Sequence, residues 1–85
     1  MTDIVTPIVN LNGTSRPALI GQCLAAVRGL QVAFHAICDA APHGRDYPGD
    51  AERFRRATEL HNARLKAIEA MIAEYTAIGT AIRPV

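Results

Sequence analysis

The residues best suited to chemistry sit between two long apolar stretches. His43, Arg45 and Tyr47 place an imidazole, a guanidinium fork and an aromatic face within five positions, and Arg53 and Arg56 follow at the start of the next element. A helix beginning there offers free N–H groups and positive potential, which favour an anion. Arginine forks add bidentate phosphate recognition, and tyrosine stacks on a base. The combination suits a small phosphate-bearing ligand, above all a nucleotide. The same residues also read as a solvated loop in which Asp46, Asp50 and Glu52 neutralise the arginines, with Glu52 and Arg56 spaced as an i, i+4 pair.

Other chemistries find less support. His35 and Cys38 form an i, i+3 pair, but no second close pair and no CxxC accompanies them, so no metal site is expected. A buried, hydrogen-bonded His61 facing Gln31, His35 or Asp39 is the plainer expectation for that residue. Ser15 is the only serine and reads as a helix cap, and neither cysteine has an electropositive setting, so no catalytic nucleophile is assigned. No cofactor and no enzymatic activity are expected.

The elements that must hold these residues follow from composition and punctuation. Eighty-five residues make one small domain, and a hydrophobic share of 49% excludes intrinsic disorder. A net charge of +1 excludes a chain that coats a long nucleic acid. Fifteen alanines against four aromatic residues favour helices over a large core. Residues 1–15 form an extended arm with a turn at Asn12-Gly13, and Thr14 or Ser15 caps the first helix, with Pro17 in its first turn. That helix covers 16–41 and stops at Pro42. A loop over 42–50 leads to Asp50 as cap, a second helix covers 51–78, Gly79 is its stop, and 79–85 is a tail. The fold expected is an all-α, two-helix antiparallel hairpin with an extended N-terminal arm.

The two helices differ. The second is amphipathic: Phe54, Ala57, Leu65, Ile68, Met71, Ile72, Tyr75 and Ile78 make one stripe. The first is apolar almost all round. Ile20, Leu24, Val27, Phe34, Cys38 and Ala41 form one stripe, widened by Leu19, Cys23, Leu30 and Ile37, and the reverse carries Ala18, Ala25, Gly29, Val32 and Ala36. One partner helix cannot cover both sides. Either the arm packs across this helix or another copy does, and Gly21, Ala25, Gly29 and Ala33 permit close approach. A homo-oligomeric helical bundle is therefore expected. Gln22, Arg28, Gln31 and His35 interrupt Ala18–Cys38, so a buried soluble helix is preferred to a membrane span. Cys23 and Cys38, roughly 22 Å apart along one helix, read as small buried hydrophobes in a reducing compartment.

The order of Leu11–Ser15, a helix, Ala41–Pro48 and a second helix resembles a small protein type common in bacteriophage and prophage genomes. More remotely, Pro42-x-Gly44-Arg45 between two helices is similar to the hairpin of phage sponge proteins that act against CBASS and Thoeris immunity. That resemblance implies an oligomer in the cytoplasm of the infected bacterium. It would sequester a cyclic nucleotide signal without cleaving it, with Pro42, Gly44 and Arg45 carried over. The longer loop Asp46–Asp50 departs from the sponge pattern and displaces any phosphate contact. The competing expectation is a protein–protein inhibitor of a host defence enzyme, of anti-CRISPR type, or a small virion-associated helical component.

Overall fold

Ser15 and Pro17 set the start of the first helix in the computed structural model, which describes residues 4–82. The Ser15 hydroxyl accepts the Ala18 N–H at 3.3 Å, satisfying a donor that a helix start leaves free. Helix α1 runs Arg16–Asp39, two residues short of the expected end at Ala41. Its last turn tightens: Ala40 N–H donates to the Ile37 carbonyl at 3.0 Å and Ala41 N–H to the Cys38 carbonyl at 3.2 Å. Both bonds span three residues, the geometry in which helices commonly unwind. Pro42 then bars Ala41 from helical conformation.

The connection contains one 3-10 turn, Gly44–Asp46, not anticipated within 42–50. Gly49 leaves it with φ of +73°, a conformation for which glycine is suited. Asp50 caps helix α2, Ala51–Ala81, by accepting the Arg53 N–H at 3.0 Å. Gly79 does not stop this helix, as the spacing predicts, but lies inside it. Among the described residues Gly49 alone has positive φ, so Gly79 is no left-handed cap. Its lack of a side chain serves an approach instead: a Cβ there would stand 3.4 Å from the Cβ of Cys23.

The two helices pack against each other, and the described residues contain no strand. Alternating steps of three and four define the packed seam. On α1 it is Leu19, Cys23, Ala26, Leu30, Ala33 and Ile37, flanked by the half-buried Val27 and Phe34. On α2 it is Phe54, Thr58, His61, Leu65, Ile68, Ile72 and Gly79. The apolar face of α1 is thus rotated from the expected stripe: Ile20, Leu24, Cys38 and Ala41 are exposed, and Ala33 turns inward. Met71 and Tyr75 of α2, expected in the core, are 39% and 40% exposed. Cys38 is exposed and Cys23 half-buried, so neither is the fully buried thiol anticipated.

Only Ile68, Ile82 and His61 are buried among the described residues. A two-helix layer has no third element to close over it. The radius of gyration is 18.2 Å where a compact 85-residue domain has about 12 Å, and the principal extents are 62 × 23 × 18 Å. The arm does not mend this. Its turn is organised by Asn10, whose amide donates to the Ile8 carbonyl and whose carbonyl oxygen accepts the Asn12 N–H, each at 3.1 Å. Ile4 lies beside Ala70, Ala73 and Ala77 on the outside of α2, so the arm leaves the reverse of α1 uncovered. By length and composition α1 could cross a bilayer, although Arg28 sits at its middle.

Candidate functional site

Each of the six loop and helix-start residues can be followed into the fold. Pro42 and the 3-10 turn fold the connection back toward the first turn of α2. His43 caps that 3-10 turn: its Nδ1 accepts the Arg45 N–H at 3.1 Å, which puts the ring proton on Nε2. A Cβ on Gly44 would stand 3.7 Å from the Phe54 ring, an ordinary contact distance. Tyr47 is half-buried, its ring 5.8 Å from that of Phe54 at 35°. The aromatic face expected to receive a base is therefore already packed on a neighbour.

The start of α2 is occupied as well. The Asp50 carboxylate accepts the Arg53 N–H and stands 3.7 Å from the Arg53 Nε. A carboxylate thus fills the position where a bound anion would meet the helix donors. Asp50→Ala is expected to cost about 1 kcal/mol of stability through the lost cap. Urea unfolding followed by circular dichroism checks it, and an unchanged midpoint would show that the cap contributes nothing.

Glu52 does not pair with Arg56, the i, i+4 partner expected. It turns to Arg55, which bridges Glu52 and Glu59 along the outer side of α2. The hydrogen bond from Arg55 holds the Glu52 carboxyl below the usual carboxylate range, and the Arg55 guanidinium is raised by that bond and by the charge of Glu59. Arg45 and Arg56 have no ion pair among the described residues. They do not converge with Tyr47. Two residues beyond Phe54, Arg56 points about 160° around the helix from the ring on which Tyr47 packs.

Two cavities among the described residues lie elsewhere, and none of the six residues lines either. The larger, about 360 Å³, is a groove at the open end of the hairpin between Ile20, Leu24 and Val27 of α1 and Tyr75, Thr76 and Gly79 of α2. Its threonine hydroxyls are spent locally: Thr76 donates to the Ile72 carbonyl at 2.7 Å and Thr80 to the Thr76 carbonyl at 2.9 Å. What the groove offers is apolar surface.

No family model, curated protein or solved structure matches this chain. The likeness to sponge hairpins accordingly rests on Pro42, Gly44 and Arg45 alone. Two participants are absent from the sequence-derived site. Phe54, the platform for Tyr47, is signalled only as an apolar helix position. The groove becomes visible once Gly79 is placed opposite Cys23, a pairing that no local pattern announces. His61 is buried at 8% exposure as expected, but none of the hydrogen bonds among the described residues uses its ring nitrogens. Counted from the Cys23–Gly79 crossing, an antiparallel partner sets His61 level with Ala40 and Ala41, beyond Gln31 and His35.

Proposed function

We propose that this chain is a protein-interaction module whose working unit is a homo-oligomeric bundle of hairpins, acting by binding and not by turnover. One observation carries the reading. A compact protein of 9.1 kDa exposes about 4,900 Å², whereas this chain exposes 6535 Å². The excess of roughly 1,600 Å² per chain falls within what obligate homodimers bury. The apolar character of α1 places much of that excess where water is least favourable. Multi-angle light scattering over a wide concentration range is expected to give a mass of at least two chains. A monomer at every concentration would overturn the reading.

A second reading, capture of a small phosphate-bearing nucleotide, is favoured by the unpaired Arg45 and Arg56 together with the Nε2 proton of the exposed His43. Because Arg56 and Tyr47 diverge within one chain, such a ligand would be held by residues from more than one copy. Isothermal titration with cyclic di- and trinucleotides and cyclic ADP-ribose isomers tests it. Heat from one of them, with affinity weakened about tenfold or more in Arg45→Ala, supports this reading. Silence across the panel from folded protein retires it.

A further inference from the structure

The interaction reading leaves open which surface is used and what covers it. The hairpin has two broad faces, and they differ in chemistry. One holds the open-end groove but is crossed further along by Gln31, Asn62 and Glu69, all exposed. On the other, α1 presents a second run with the three-four spacing of a packed seam: Ala18, Gln22, Ala25, Gly29, Val32 and Ala36, every one exposed. Val32 is 71% exposed, and a Cβ added to Gly29 would meet nothing within 4 Å. Helix α2 continues this face with Leu60 and Met71, 43% and 39% exposed. An α1 with two seams, one filled by α2 and one empty, is a helix from the middle of a larger bundle.

We infer that a second copy of this chain covers that face, making a two-fold four-helix bundle in which α1 packs on α1 and α2 on α2. This rests on the interaction reading and names its partner and surface. Two features select a copy over other occupants. The surplus surface is of the size an obligate dimer buries. Small residues along the α1 seam let identical helices approach closely at the axis. A two-fold axis level with Val32 and Met71 reverses the helix direction, so that each helix meets its own copy antiparallel. A self-contact that pairs a surface with its own complement closes at two chains.

The test measures the dimer dissociation constant by sedimentation for the wild type, Val32→Glu, Met71→Glu and, on the opposite face, Gln31→Glu. Val32→Glu keeps its helix, since Arg28 lies four residues earlier as an ion-pair partner. The carboxylate that Val32→Glu or Met71→Glu carries into the interface is expected to weaken dimerisation by about 100-fold or more, and Gln31→Glu to leave it unchanged. Isotope-filtered nuclear Overhauser contacts in a mixed wild-type sample read the same face without a mutation and decide the matter if the variants lose helix. Inter-chain contacts from the Val32 and Met71 methyls support the inference. A dimer indifferent to both variants, or with inter-chain contacts from Ile20 and Leu24 instead, overturns it while leaving the interaction reading intact. A wild type monomeric at all concentrations overturns both. Monomer that co-sediments with phosphatidylcholine–phosphatidylglycerol vesicles would assign this face to a bilayer and also overturn the inference.

Discussion

Truncating Ile68 to alanine is expected to lower the unfolding free energy by about 2–4 kcal/mol, the largest effect of any single substitution in the hairpin. Ile68 is 8% exposed at the centre of the α2 seam, and Ile82 is the only other large apolar side chain buried among the described residues. Small domains have little stability to lose, so a deletion of this size removes a large fraction of the total. Urea unfolding monitored at 222 nm should show a lower midpoint with an unchanged slope. His61→Leu makes the contrasting case, because it replaces a largely buried imidazole, whose ring nitrogens keep contact with solvent, by an apolar group of similar bulk. It is expected to hold or raise the midpoint. A loss below about 1 kcal/mol for Ile68→Ala would mean that the two helices pair in another register.

The second large effect is expected at Gly79, where two substitutions should diverge. Alanine would place its methyl 3.4 Å from the Cys23 Cβ, an ordinary contact, and it removes the helix penalty of glycine. These offset within about 1 kcal/mol. Leucine has no such room and must drive the helices apart at the open end, costing about 1–3 kcal/mol. Thermal unfolding should therefore leave Gly79→Ala near the wild type and lower the midpoint of Gly79→Leu by roughly 4–8 °C for each kcal/mol lost. Equal behaviour of the two variants would show that the close approach does not constrain the fold.

Helix starts were legible because capping is local chemistry. Ser15, Pro17 and Asp50 each act within three residues of themselves, so their types and order suffice. Helix ends were less so. Pro42 announces a boundary but not the tightened turn before it, and a late glycine reads equally as a stop or as a gap left for a neighbour. Gly79 is the second, and only the position of Cys23 across the hairpin decides it. The rotation of α1 was hidden for a related reason: a helix apolar all round has no strong preferred face, so the partner sets it. The loop residues adjoin one another in sequence. Their side chains were not predictable, because Tyr47 had a choice between a ligand and Phe54, and Asp50 between Arg53 and solvent.

The hairpin is pinned at one end by the Tyr47–Phe54 packing and closed at the other by the approach of Gly79 to Cys23. Every step from the first to the second joins residues further apart along the chain. Closing a longer loop costs more entropy, so assembly zips from the connection outward, and thermal opening runs the other way. The free ends therefore part first, while the segment around the connection still holds. The groove between Ile20 and Tyr75 lies in that last-formed, first-lost stretch, and it can widen for an occupant without the rest of the protein unfolding.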